Sequence, residues 1–430
     1  MNGTRTKAQG GVGLPALRHH NAALVLDLLR AAGAEGISRL ELAEGTGLTP
    51  QAVSKITARL REDGLAAGAG LRPSTGGKPR TVLRLVPDAQ FAVGLHLDRD
   101  GLTAVLVDLA GRPVAVTRAP LDLGAPADRV LADAADAVRD LCAAEPHKPV
   151  LGVGVAVPGP LDHRDGVLRR VTGFPQWDGY PLRTALAERT GLPVVLDKDT
   201  NAAALALALS LDEPRGDFAY LHLGTGLGAG LVLGGEVHRG ARTGAGEFGH
   251  QTLQLDGPLC GCGGRGCIEA LCLAAEARGD RGDAARVLGT GAANLVGLLG
   301  IDRVVLGGRV VAADEDAYVR GVRAVIEERA ARGGAGTGVT VTVARGGDRP
   351  VAEGAAQLVL APVFGRVGRG PGGESGRGPG SEQGVGGAGQ GSRGSRTEES
   401  GGGTRRGSKE GNDAEAQSGD PMNQVGMSTL

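Results

Sequence analysis

The stretch 247-EFGHQTLQLDGPLCGCGGRGCIEA-270 decides how this chain of 430 residues is read. It sets His250, Cys260, Cys262 and Cys267, one imidazole and three thiols, within eighteen residues. Glycines at 261, 263, 264 and 266 let the backbone bend sharply enough to turn three sulfurs round one ion. Zinc favours tetrahedral sulfur and nitrogen ligands, and four protein ligands make a closed, structural site. The expected cofactor is therefore structural Zn2+. Clustering of three of the five cysteines argues against a secreted disulfide framework and for metal in a reducing compartment. Cys142 and Cys272 lie in apolar helical surroundings and are expected in the core.

Working toward the N-terminus, residues 1–15 are Gly/Thr/Lys-rich and expected to be disordered. Leu24, Val25, Leu28 and Leu29 recur at helical spacing from Leu17 to Ala32. Ser38 with Glu41 forms a capping box for a second helix, and Thr49 followed by Pro50 starts a third. That helix, 49-TPQAVSKITARLREDG, turns Val53, Ile56 and Leu60 toward a core. Two short segments, Leu65–Leu71 and Arg80–Val86, flank the hairpin loop 72-RPSTGGKP. The order helix, helix, turn, helix, hairpin is that of a winged helix-turn-helix over residues 16–86. Such a module puts its third helix into the major groove of duplex DNA, which leaves Gln51, Ser54, Lys55 and Arg59 to reach base edges or phosphates. Arg72, Lys78 and Arg80 on the hairpin are placed for backbone phosphate or the minor groove. Residues 1–85 carry 12 Lys+Arg against 6 Asp+Glu on a chain of formal net charge -1, which suits a polyanion partner for this module alone.

Past Pro87 the pattern changes. Phe91–Leu97 and Ala104–Leu109 alternate as paired strands, residues 127–142 form an amphipathic helix, and 150-VLGVGVAVPG is a buried strand ending in a Gly-Pro turn. Further short strands, Val194–Leu196, Ala219–Leu223, Leu231–Leu233 and Val304–Leu306, lie between helices and Gly-rich turns. This is an α/β domain, assigned to residues 88–365.

Taken with these elements, the cysteine segment resembles the signature of the ROK family (repressors, open reading frames and sugar kinases): a glutamate, a nearby histidine, then CxCGxxGCxE. Further matches are 152-GVGVAVPGP, 199-DTNAAAL, 224-GTGLGAG and 305-VLGG. The resemblance covers roughly residues 15–362 and includes the winged helix carried by the repressor branch. It implies a two-lobed, actin-like and ribonuclease-H-like α/β domain with a cleft between the lobes. Carried over by motif, it implies sugar-binding residues Asp199, Glu247, His250 and Glu269, with Asp199 as general base if a hydroxyl is phosphorylated. His250 would then serve zinc through one ring nitrogen and the sugar through the other. Gly224, Thr225, Gly226 and Gly228 correspond to a second phosphate loop of the family's kinases.

Two departures bear on catalysis. Lys198 stands where the family has asparagine before the aspartate, so the hydroxyl contacts must change or the side chain must swing away. The first phosphate loop, DxGGT in the family's kinases, is replaced in 94-GLHLDRDGL by His96, Asp98, Arg99 and Asp100. Bulky side chains there block backbone approach and two carboxylates repel phosphates, so MgATP is not an expected cofactor. The segment 273-LAAEARGDRGDAARVLGT is also shorter than the family's usual helical stretch.

The expected function is thus a DNA-binding regulator, in the repressor branch, that senses a sugar or sugar derivative. An ATP-dependent sugar kinase is the alternative. Paired half-sites imply a homodimer on a double-stranded operator. Aromatics make up only 2% of residues, so Leu, Val and Ala must fill the core. No apolar run is long enough to span a bilayer and the start, MNGTRTKAQGG, lacks a leader's apolar stretch, so a cytoplasmic protein with no membrane partner is expected. Residues 366–430 are rich in Gly, Ser, Arg, Glu and Gln and expected to be disordered.

Overall fold

Thr49 accepts a hydrogen bond from the Ala52 N–H and Pro50 occupies the first helical position, so the helix Pro50–Glu62 begins where its cap requires. A computed structural model describes residues 14–72, 80–143, 149–210, 216–333, 338–346 and 349–366. The expectations for residues 1–13, for Lys78 and for the tail beyond Arg366 lie outside the described residues.

The N-terminal module comprises α1 (Leu14–Ala32), β1 (Ile37–Ser38), α2 (Arg39–Thr46), α3 (Pro50–Glu62), β2 (Ala66–Arg72) and β3 (Arg80–Leu85). Ser38 and Glu41 form the expected reciprocal capping box at the start of α2. On α3 the fully buried positions are Val53, Thr57 and Leu60; Ile56 is half-buried. Thr57 enters the core because its hydroxyl is satisfied within the helix, donating to Val53 O at 2.8 Å. The wing has three strands in the order β1-β3-β2, so the two-residue β1 joins the hairpin read from sequence.

The first lobe of the α/β domain is a five-stranded sheet of order β10-β7-β4-β5-β6. Its strands are β4 (Phe91–Leu97), β5 (Gly101–Asp108), β6 (Pro113–Pro120), β7 (Val150–Val157) and β10 (Val194–Lys198). Between β7 and β10 lie the small hairpin β8 (Leu161–Asp162) and β9 (Val167–Leu168) and the helix α5 (Leu182–Thr190); α4 (Ala127–Ala143) precedes β7. The alternation expected for β4 is absent: all seven residues are buried. The strand is central, and helices cover both its faces, so neither face needs polar residues.

The second lobe repeats the plan with order β13-β12-β11-β14-β15. After α6 (Asp199–Leu209) come β11 (Phe218–Leu223), β12 (Leu227–Leu233), β13 (Glu236–Val237), α7 (Ile268–Ala277) and α8 (Arg281–Leu299). β14 (Arg303–Gly307), α9 (Arg309–Ala312), α10 (Glu315–Arg332) and β15 (Thr340–Val343) complete it, and α11 (Arg349–Leu360) then returns to the first lobe's sheet. α7, α8 and α10 pack on the outer face of this sheet. Between the sheets, α11 packs on β4 and β7, α6 packs on β11 and β12, and the two helices pack on each other. The approach of α11 is so close that a Cβ on Gly94 would fall 1.9 Å from Ala352 O, and one on Gly154 1.7 Å from Ala355 O. Only glycine fits at these two points.

The module and the first lobe share one core. Val25, Leu29, Leu42, Val53, Leu60 and Leu83 are buried together with Val105, Val107, Ala356, Leu360 and Phe364. Arg366 adds two hydrogen bonds to the Asp27 carboxylate on α1, at 3.0 and 2.8 Å, and the Arg30 guanidinium stacks 5.1 Å from the Phe364 ring centroid.

Candidate ligand cleft and metal centre

Parallel strands deliver their C-terminal ends, and the turns that follow, to one edge of each sheet. Here β4, β10 and β11 end at the cleft between the lobes. The cleft has a volume of 80 Å³ and is lined by Asp98, Arg99, Lys198, Asp199, His222, Thr225, Gly226, Gly228, Glu247, His250 and Glu269, among others. All four sugar-binding residues expected from the sequence are therefore brought together with the turn 224–226 that joins β11 to β12 and with Gly228 at the start of β12.

Asp199 is the first residue of α6, directly after β10. Burial pushes its carboxyl above the usual aspartate range; the nearby His222 and His96 and the Thr200 N–H act the other way, while Asp98 adds to the rise. Lys198 does not swing out of the fold. Its Nζ is buried and donates to Ala245 O at 2.5 Å and to Glu247 Oε1 at 3.0 Å. The cation that replaces the family's asparagine therefore neutralises one of the expected ligand-binding carboxylates and fixes its rotamer. Glu269, on α7, accepts the Leu227 N–H through Oε2 at 2.8 Å, which ties the metal segment to the second glycine turn.

Behind this wall stands a group that sequence reading missed. Asp197 is buried and accepts from Arg239 Nε at 2.6 Å, Asn201 Nδ2 at 2.8 Å and the Lys198 N–H at 2.8 Å. His222 was also missed; it enters the cleft from β11, with Nδ1 held 2.9 Å from the Tyr220 hydroxyl. A histidine in the otherwise apolar run 218-FAYLHL was the available signal.

The four expected metal ligands converge. One donor atom from each of His250, Cys260, Cys262 and Cys267 lies within 4.8 Å of every other. His250 Nδ1 is 3.7 Å from Cys260 Sγ, and Cys262 Sγ is 3.8 Å from Cys267 Sγ. Cys260 and Cys267 are buried and Cys262 is exposed. Burial pushes the Cys267 thiol up to about 12 and raises Cys260, whereas the Gly264 N–H draws Cys262 below the ordinary thiol range. Buried thiols of this kind ionise readily only beside a cation. Cys272 lies in the core as expected, while Cys142 is half-buried.

On the N-terminal module, Gln51, Ser54, Lys55 and Arg59 all face solvent along one side of α3, and Arg80 is exposed on the wing. Arg72, only half-buried, is tied to the module, pairing with Glu41 at 2.9 Å and donating to Gly36 O at 2.9 Å. It braces the wing against α2.

The pattern described for the ROK family matches residues 92–277 and again 273–361. The two matches overlap at residues 273–277, in the last part of α7. Over 236 residues the chain is 29% identical to a xylose repressor of Caldicellulosiruptor bescii, covering 54% of this chain and 59% of that protein. The chain thus spans about three-fifths of the length of the curated relatives it matches. Among solved structures, a ROK family transcriptional regulator, a homolog of the E. coli MLC protein, superposes with a TM-score of 0.66 at 23% identity, over 81% of this chain and 98% of that one. A ROK hexokinase from Thermus thermophilus gives 0.54 at 32% identity, over 64% of this chain and 99% of that one.

Proposed function

The chain belongs to the ROK family, and from that premise we propose that it is a transcriptional regulator, a repressor that binds duplex DNA through α3 and senses a sugar or sugar derivative in the interlobe cleft. The observation that carries this reading is the shared core: the DNA-facing module and the lobe that ends in Lys198–Asp199 are packed as one body. A ligand alters DNA affinity only through unequal affinity for two conformations, and movement of the first lobe has a direct mechanical route to α1 through Phe364 and Arg366. The family's repressors and its sugar kinases both resemble this chain, which supports a sugar as the ligand class. The cleft's carboxylates and His250 can exchange hydrogen bonds with vicinal hydroxyls. The turn Asp98–Arg99–Asp100 disfavours the kinase alternative, since it puts two acidic side chains where nucleotide phosphates would lie.

Zn2+ suits the cluster. Tetrahedral bonds of about 2.3 Å to sulfur place neighbouring ligand atoms roughly 3.8 Å apart, close to the separations found here. Zinc would be held by His250, Cys260, Cys262 and Cys267 and would fix the loop from which Glu247 and His250 enter the cleft. A homodimer that reads two half-sites in the cytosol completes the proposal. Among the described residues no helix is long and apolar enough to cross a membrane.

The test is selection of bound duplexes from a random pool, followed by anisotropy titration with a panel of monosaccharides that begins with xylose. One or more selected sites should bind in a salt-dependent manner, Lys55→Ala and Arg59→Ala should weaken binding about 10-fold each, and one sugar should shift the affinity. Failure to select any site, or formation of a phosphosugar with MgATP, would overturn it.

A further inference from the structure

The turn between β4 and β5 leaves the first lobe, and two of its three side chains, Asp98 and Asp100, meet the second. Asp98 Oδ1 accepts a hydrogen bond from the Thr225 hydroxyl at 3.2 Å, although the two residues are 127 apart in sequence. Asp100 Oδ2 pairs with Arg309 Nη1 at 2.7 Å, across 209 residues. Arg99 lies between them. Its guanidinium stays on the first lobe's side, 5.6 Å from the Phe174 ring centroid. Thr225 belongs to the β11–β12 turn and Arg309 opens α9, so the contacts seize two separate elements of the second lobe. Nothing local to the β4–β5 turn requires these partners.

The turn is also well anchored at its own end. The Asp98 N–H donates to Gly101 O at 2.8 Å, and Asp98 Oδ1 accepts the Arg99 N–H at 2.7 Å. Burial would raise the Asp98 carboxyl, but His96, the Arg99 N–H, His222 and the Thr225 hydroxyl more than offset it and hold the group below the usual carboxylate range. Asp98 is therefore an acceptor at any physiological pH.

We propose that the side chains of Asp98 and Asp100 form an interlobe latch: they hold Thr225 and Arg309 to the first lobe before ligand arrives and so set the resting closure of the cleft. This rests on the reading of the cleft as a ligand site. Where a phosphate-binding turn needs bare backbone, this one uses side chains to span the gap. A ligand that prefers the closed cleft then spends less of its binding free energy on closing it, so loosening the latch weakens apparent affinity by the fall in the closed population.

The test uses the full chain and two readouts. Asp100→Arg and Arg309→Asp each reverse one charge; the double variant restores the pair with opposite polarity. Thr225→Val removes the hydroxyl while keeping the side chain's shape. Amide hydrogen exchange is followed without ligand at 224–228 and 308–312. Each single variant should speed exchange in both segments about 2- to 5-fold, as expected for contacts of this strength, and the double variant should return to within twofold of the parent. Unchanged exchange in the singles, or a double variant no better protected than the singles, overturns the latch. Sugar affinity is measured on the same proteins. If no sugar binds the parent but exchange responds as stated, the ligand reading fails and the latch stands. If a sugar binds and exchange ignores the variants, the latch fails and the ligand reading stands.

Discussion

On the second lobe's side of the cleft, the segment 224–230, the β11–β12 turn with the start of β12, keeps its glycines; on the first lobe's side, the turn 98–100 has none. Packing accounts for the difference. A Cβ on Gly230 would fall 2.1 Å from Thr200 O and 2.7 Å from Ala204 Cβ, so α6 could not approach β12. Gly228 would meet Thr200 Cγ2 at 3.0 Å. These glycines are required to seat the helix that begins with Asp199, whether or not a phosphate ever binds. The β4–β5 turn carries no such constraint, and its side chains reach across the gap. A glycine-rich turn in this fold is thus weak evidence of nucleotide use, and its loss elsewhere is more informative than its survival here.

The metal segment is the part of the better-kept wall that should respond most. Cys262→Ser should lower zinc from about one ion per chain to a small fraction and destabilise the fold more than any substitution in either turn. Free energy of structural zinc binding is folding free energy, on the order of 10 kcal/mol in small peptides. Elemental analysis paired with thermal unfolding checks this; a metal-free chain that melts unchanged would break the comparison at its strongest point.

Next in size is a direct contest between the glycine-rich segment and the β4–β5 turn. Gly230→Ala should destabilise by about 1–3 kcal/mol through overpacking against α6. Arg99→Gly should cost about 1 kcal/mol or less, the worth of one half-buried stacking contact. Urea denaturation midpoints decide it, and equal losses would remove the packing explanation.

The smallest expected effect has the opposite sign. Asp199 is held above its ordinary range by burial, so its ionised form is a burden on the fold at neutral pH. An acid whose folded pKa is raised leaves stability intact below its unfolded value near 3.8 and removes it as pH climbs through the folded value. Asp199→Asn should therefore stabilise the chain at pH 7 by about 0.5–2 kcal/mol while weakening ligand binding. The gain should shrink on acidification and vanish below the unfolded pKa. A gain independent of pH would show that desolvation of this carboxylate is not its source.

How much of this was legible beforehand follows from how far apart the partners lie. The His/Cys cluster, the capping box and the start of α3 were readable because each is written within a short stretch of sequence. β1 was not, since two residues carry no period, and β4 was assigned an alternation it lacks because helices added from elsewhere in the chain bury both its faces. In the cleft, Asp199, Glu247, His250 and Glu269 were found by motif. The Lys198–Glu247 pair, the Asp98–Thr225 bond and the buried Asp197–Arg239 pair were not, because each joins residues more than forty positions apart.

The clasp of α1 by Phe364 and Arg366 has a consequence for biosynthesis. Asp27 and Arg366 are separated by 339 positions, so on a ribosome adding about 5–20 residues per second the helix waits tens of seconds for the residues that brace it. Until they emerge, Val25 and Leu29 lack part of the apolar surface they bury against. The packing of α1 is thus completed only after both lobes have been synthesised.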